Sequence, residues 1–184
     1  MYDLIYMVRC VPQRMKYVKV IQEQIPELIV FQDKDGCAMK SFIKALRLIG
    51  ERRAILLEDD VLLTSNFKEK AHAVIEQYPD SIINFFTGMS KLVTEAKWRA
   101  GSSFSCNPCT YYPKGYGTII ADYYDVWEGK IKHPTGTDII IADWLKSRKE
   151  RWYMHYPSLV QHLPGISAID PRRPRNRKCY TFEP

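Results

Sequence analysis

The sequence predicts a single α/β domain with a Rossmann-like, mostly parallel central sheet flanked by helices. Three observations lead there. Over the first half of the chain, short apolar runs alternate with segments whose apolar residues recur at helical spacing. Alternation of this kind builds a parallel sheet joined by right-handed crossovers. The polar residues Arg9, Asp33 and Glu58-Asp59-Asp60 also fall where strands run out, which is where open α/β sheets take their ligands.

Taken in order, Leu4-Ile5-Tyr6-Met7-Val8 reads as a buried strand that breaks at Arg9-Cys10-Val11-Pro12. A helix is expected over residues 13–25, with Met15, Val18, Ile21 and Ile25 at helical spacing, and Pro26 stops it. Residues 27–31 form a second strand that closes in the turn signal Gln32-Asp33-Lys34-Asp35-Gly36. Residues 37–49 make an amphipathic helix with Phe42, Ala45, Leu46 and Ile49 on one side and Gly50 as its C-terminal cap. One strand is expected over 54–63, a helix near 67–77 and a strand over 81–86. Residues 87–114 contain Gly88, Gly101, Pro108 and Pro113 among many Ser and Thr, and read as a long loop over the site. Residues 114–121 read as a strand, 122–129 and 138–148 as helices, and 152–156 as a short strand ahead of the apolar run into His162. The domain is placed at 1–170 and a basic tail at 171–184, without an internal repeat or boundary.

The run from Ala54 to Leu63 is the most telling, because an apolar strand carries Glu58, Asp59 and Asp60 in its middle. A charge taken out of water is costly unless it is paired. The usual partner for such a cluster is a hard divalent cation bound through oxygen. Alternate residues of a strand share a face, so Glu58 and Asp60 are expected to point together and Asp59 away. That arrangement suits a metal that itself holds a diphosphate. A solvated acidic turn is the plainer reading of the same pattern.

At 184 residues the chain is long enough for one real core. A composition of 46% hydrophobic and 26% charged residues is ordinary for a soluble globular protein. No apolar stretch approaches the roughly 18 residues of a membrane span, and no basic-then-apolar leader opens the chain. The cysteines Cys10, Cys37, Cys106, Cys109 and Cys179 are odd in number and scattered, which fits a reducing cytoplasm better than a disulfide framework. Cys106-Asn-Pro-Cys109 lacks the second pair that a zinc site requires. The net charge of +6 attracts polyanions. Much of it is local: Arg172, Arg173, Arg175, Arg177 and Lys178 form a candidate phosphate-contacting, acceptor-binding arm, or else a solvated terminus.

Leu57-Glu58-Asp59-Asp60-Val61 on its strand, Thr137-Asp138 opening a helix, and the late Pro157-Ser158-Leu159-Val160-Gln161-His162 make an ordered set over nearly the whole chain. In that set the chain resembles glycosyltransferases of the A-type (GT-A) fold, the nucleotide-diphospho-sugar transferases. It is most similar to the family 25-like branch of lipopolysaccharide galactosyltransferases and their collagen-modifying relatives, whose Asp-x-Asp element the first motif matches. The resemblance implies transfer of a sugar from a nucleotide-diphosphate donor, a UDP-sugar, to a hydroxyl acceptor with the help of Mn²⁺ or Mg²⁺. It implies that Asp60 binds the metal directly, that Glu58 meets the donor ribose or completes the metal shell, and that His162 is a further ligand. It gives Asp33 to the nucleoside, Arg9 and Arg14 to the base or diphosphate, Asp59 to the donor side and Asp138 to the general base. The triplet opens with Glu where the family has Asp, and the chain is shorter than most members.

The chemistry is coherent without the name. Breaking a sugar–diphosphate bond loads negative charge on the leaving group, which a Lewis-acidic cation stabilises. The acceptor hydroxyl loses a proton as it attacks, which a positioned carboxylate accepts. Two carboxylates and an imidazole suit Mn²⁺ or Mg²⁺, the imidazole favouring Mn²⁺. Attack from the face opposite the leaving group inverts the anomeric centre. Plainer readings stand beside these. Thr135-x-x-Asp138 also fits a helix cap, His162 also fits a structural histidine, and His72, His133 and His155 read as packing or surface residues. No Gly-x-Ser-x-Gly elbow and no phosphate-cradling glycine loop is present, which argues against a hydrolase, a dinucleotide enzyme or a kinase-like NTPase. A two-metal nuclease or nucleotidyltransferase needs more carboxylates than this cluster offers. A non-catalytic nucleic-acid-binding module acting through the tail leaves the acidic strand unexplained. Two acceptors stay open: hydroxymethylated pyrimidines of phage-type DNA, reached by base flipping, and a lipopolysaccharide or capsule sugar at an anionic membrane face.

Overall fold

The computed structural model describes residues 4–34, 36–88, 93–165 and 177–184. The chain opens with β1 (Leu4–Cys10), α1 (Met15–Gln24), β2 (Ile29–Gln32), α2 (Ala38–Ile49) and β3 (Arg53–Glu58). It continues through β4 (Val61–Leu63), α3 (Phe67–Gln77), β5 (Ile83–Asn84), β6 (Lys97–Ala100) and β7 (Cys109–Tyr112). It ends with α4 (Tyr116–Val126), α5 (Thr137–Ser147), β8 (Arg151–Met154) and β9 (Val160–His162).

Among the described residues seven strands form one sheet in the order β2-β1-β3-β7-β5-β8-β6, and β4 pairs with β9 in a separate ribbon. The sheet is mixed. β1, β2, β3, β5 and β8 run one way, while β7 and β6 run against them. Helices cover both faces, which is why β3 carries the unbroken apolar run Ala54-Ile55-Leu56-Leu57, all of it buried. Alternate residues of β1 enter opposite cores. Tyr6, Val8 and Cys10 pack with Val18 and Ile21 of α1 and Phe67, Ala71 and Ile75 of α3. Met7 packs with Phe42 and Leu46 of α2, Ile120 of α4 and Ile141 of α5. This three-layer arrangement sets the carboxyl ends of β1, β2 and β3 along one edge, held by the register Arg9 to Glu58 and Arg9 to Phe31. None of the described helices is long and apolar enough to cross a membrane.

Four expectations need correction. The strand over 54–63 is not continuous: β3 ends at Glu58, Asp59 and Asp60 form a turn, and β4 leaves the main sheet. The segment 87–114 is not a plain loop, since it supplies the edge strand β6 and the antiparallel β7 inserted between β3 and β5. All four residues of β7 are buried, so no alternation betrays it among the flanking prolines. The strand expected over 114–121 is a helix. Gly115, at φ 81°, makes the turn out of β7, and Gly117, Ile120 and Ala121 face inward at helical spacing. The strand expected over 81–86 shrinks to Ile83–Asn84.

α4 lies very close to α2. A Cβ on Gly117 would stand 2.7 Å from the Leu46 carbonyl oxygen and 2.8 Å from that of Gly50. Only a residue without a side chain allows that crossing.

Residues 177–184 pack on the domain. Thr64 Oγ1 donates to the Glu183 carbonyl at 2.6 Å, the Ser158 amide to Thr181 Oγ1 at 3.1 Å and the Cys179 amide to Gln161 Oε1 at 3.0 Å. Cys179 is buried. Residues 171–176, with Arg172, Arg173 and Arg175, lie outside the described residues.

Candidate metal centre

The site grows from the end of β3. The Glu58 amide donates to the Pro108 carbonyl at 2.8 Å, and the chain then turns through Asp59 and Asp60. β4 leaves this turn and pairs antiparallel with β9, in a register that sets Val61 opposite His162. The Leu163 amide donates to the Asp60 carbonyl at 2.7 Å and ties the two ends together. An imidazole about a hundred residues away in sequence is thereby placed beside the acids. His162 Nε2 stands 3.6 Å from Glu58 Oε2 and 3.5 Å from Asp60 Oδ1. Glu58 and Asp60 converge as expected, but a turn brings them together rather than strand pleating.

Asp59 points elsewhere, where it accepts the Val11 amide at 2.9 Å and Arg14 Nη1 at 3.0 Å. The same Arg14 nitrogen reaches Asp60 Oδ2 at 2.6 Å. Arg9, whose guanidinium lies over the Phe42 ring, approaches Glu58 at 3.4 Å. Arg177 approaches Asp60 Oδ2 at 3.6 Å. Three arginines thus answer three carboxylates. Burial opposes ionisation of Glu58, yet the His162 contact and the Arg9 and Arg177 charges outweigh it and hold its carboxyl at about 2. Burial and the neighbouring Glu58 charge push the Asp60 carboxyl up, against the pull of His162 and Arg14.

Two polar atoms at the centre have no hydrogen-bond partner: Asp60 Oδ1 and His162 Nε2, both fully buried. Leaving such atoms unpaired costs about 1–3 kcal/mol each, so the arrangement calls for a third body. His162 Nδ1 is 3.3 Å from the Leu163 carbonyl, which can only accept, so Nδ1 carries a hydrogen and Nε2 is the nitrogen left to face the acids. A ring oriented in this way by a backbone carbonyl is the usual state of a metal-binding histidine. One ligand atom each from Glu58, Asp60 and His162 fit within 4.8 Å of one another, the one such group among the described residues. Ligands on bonds of about 2.1 Å lie roughly 3.0–3.4 Å apart at octahedral or tetrahedral angles, so a small inward shift would close the shell. Two carboxylates and an imidazole make a donor set that could hold a metal ion.

Glu58, His162 and Arg177 line a pocket of about 60 Å³ together with Asp138, Asn107 and Cys106. That volume is of the size of an ion with its water. Asp138, in the first turn of α5, does not cap it: the helix has no side-chain cap, and Asp138 Oδ2 accepts the Cys106 amide at 3.1 Å instead. The capping reading of Thr135-x-x-Asp138 is therefore set aside. Asp33 lies just beyond β2, where its amide donates to the Cys10 carbonyl at 2.7 Å and its Oδ1 accepts the Gly36 amide at 3.2 Å. It shares the carboxyl edge with the cluster and does not line the pocket. Lys178 is exposed and does not line the pocket.

One residue of the site escaped sequence reasoning. Asn84 is wholly buried at the end of β5, where its Nδ2 donates to the Cys106 carbonyl at 2.7 Å and its Oδ1 accepts the Phe86 amide at 3.0 Å. It fixes the left-handed turn at Cys106 (φ 53°) that presents an amide to Asp138. Its signal was an amide inside the apolar run Ile82-Ile83-Asn84-Phe85-Phe86, since a buried amide side chain needs partners. No protein-family model matches this chain, and no curated protein matches it significantly.

Proposed function

We propose that this protein is a metal-dependent glycosyltransferase of the GT-A type that moves a sugar from a UDP-linked donor to a hydroxyl acceptor in the cytoplasm. The observation that carries the reading is the convergence of Glu58, Asp60 and His162, two of their buried atoms unpartnered, at the carboxyl end of β3. Bound there, Mn²⁺ or Mg²⁺ would supply Lewis acidity to the departing diphosphate. Arg177 and Arg14 bring fixed positive charge to the same place, and preorganised charge of this kind stabilises an oxyanion as it forms. Asp138, held by the Cys106 amide in the same pocket, is positioned to take the proton of the incoming hydroxyl. Attack from its side, opposite the leaving group, inverts the anomeric centre. Asp33 and Arg9, on the β1–β2 side of the cluster, are assigned to the nucleotide. Hydroxymethylated pyrimidine in DNA is our first acceptor and a cell-surface glycan the second.

Calorimetry of UDP with and without Mn²⁺ tests the donor site. Binding is expected only with metal, and Asp60→Asn should weaken it by roughly a hundredfold, in line with loss of a ligand that outer-shell changes alone cost 10–100-fold. UDP affinity that ignores both metal and substitution would overturn the reading.

A further inference from the structure

A second cavity, of about 500 Å³, shares the walls Phe86 and Cys106 with the metal pocket. Its size is that of a small-molecule site. Trp152 and Met154 of β8 form its apolar side, and Lys97 and Arg99 of the edge strand β6 its charged one. The pairing of Lys97 with Met154 and of Arg99 with Trp152 puts both cations on the cavity face. Trp98, between them, faces the other way and is locked edge-on against Tyr78 at 5.2 Å and Tyr153 at 5.4 Å. The aim of the two cations is therefore set by the strand and its aromatic anchor. Among the described residues no carboxylate lines the cavity, and neither Lys97 nor Arg99 forms an ion pair. Two like charges facing a concave space without a counter-ion attract an anion into it. Ser105 adds a hydroxyl to the lining.

The shared wall joins this space to the chemistry. Cys106 touches both cavities, its amide is the partner of Asp138, and its carbonyl is pinned by Asn84. A molecule seated over β6 and β8 would meet Asp138 at that wall, on the side of the cluster away from β1 and β2. We propose that this cavity is the acceptor subsite and that the acceptor carries a phosphate, held by Lys97 and Arg99. The inference rests on the glycosyltransferase reading for the word acceptor, while the anion site stands on its own geometry.

NMR titration of the full chain with methyl phosphate and dimethyl phosphate at low salt tests it. Saturable shifts are expected at the Ser105 amide and the Trp152 indole N–H, with affinity at least tenfold weaker in Lys97→Gln/Arg99→Gln. Tighter binding of the monoester points to a phosphorylated sugar or nucleotide end, and tighter binding of the diester to a phosphodiester chain. Absent shifts, or binding equal in the double variant, overturn the proposal. Calorimetry of UDP with Mn²⁺ on the same variant separates the two readings. Intact UDP binding without phosphate shifts sinks this inference alone, and phosphate shifts without UDP binding sink the donor site while leaving the anion site in place.

Discussion

Asp60 Oδ1 and His162 Nε2 lie 3.5 Å apart in the interior, each without a hydrogen-bond partner. The two adjoining carboxylates are paired: Asp59 with Val11 and Arg14, Glu58 with Arg9. Two unpartnered atoms facing each other across 3.5 Å mark where a ligand belongs, and the alternate spacing of the acids already sets Glu58 and Asp60 together and Asp59 apart. Asp138 is the sharpest single-residue test of catalysis. Asp138→Asn keeps the shape and an acceptor oxygen for the Cys106 amide but cannot take a proton, so kcat should fall about 10²–10⁴-fold while UDP binding with Mn²⁺ is unchanged. Steady-state kinetics beside calorimetry would read both, and undiminished turnover would remove Asp138 as the base. His155 governs a different property. Its ring packs edge-on to Phe85 at 6.0 Å, and burial holds its pKa down at about 4, from an ordinary 6.5. The unfolded chain takes up the proton more readily, so the stability lent by the neutral ring is complete above pH 6.5 and drains away as pH falls towards 4. On the order of 2–3 kcal/mol is at stake. His155→Gln should flatten the acid limb of a melting-temperature profile over that range, and an unaltered limb would place its origin elsewhere.

Elements whose burial follows a simple period were legible. α1, α2 and α3 each show buried residues at helical spacing, and β1 and β3 were plain as apolar runs. The failures have physical causes. β7 is buried on both faces between prolines, so it offers neither alternation nor length and reads as part of a loop. α4 carries Gly117-Thr118-Ile119-Ile120, a strand-like string that tertiary packing against α2 overrides. The acid run reads as one strand because nothing local announces that β4 departs to meet β9. The close crossing of α2 and α4 gives the prediction proper to this scale. Gly117→Ala would press a methyl against two backbone oxygens that cannot rotate aside. A loss of about 1–3 kcal/mol is expected, the usual toll of overpacking, and urea denaturation would measure it. A neutral result would mean that the helices can slide apart.

Across the whole molecule the sheet order separates two territories. The β2-β1-β3 side bears Asp33, Arg9 and, at the end of β3, the candidate metal cluster, while the β5-β8-β6 side bears the second cavity. The carboxyl-terminal segment fastens to this frame and delivers Arg177 to Asp60. The sequence revealed the positive charge of that segment but not its anchorage, which depends on Thr64, Ser158 and Gln161 far away in the chain. Ending the chain after residue 176 should cost on the order of 2–4 kcal/mol, at about 1 kcal/mol for each lost hydrogen bond. It should also lower UDP affinity in Mn²⁺ about tenfold, the worth of one well-placed charge. Arg177→Ala should reproduce the loss of affinity while leaving most of the melting temperature intact, as calorimetry of both variants would show. Equal affinity in all three proteins would release Arg177 from the site.

The β4–β9 ribbon also has a consequence for biosynthesis. A nascent polypeptide that has not yet released Val160 from the ribosome carries both acids but lacks the imidazole that faces them. Whatever ion it met would be held by oxygens alone, so competence to grip a cation should arrive only once Val160–His162 is free to zip onto Val61–Leu63.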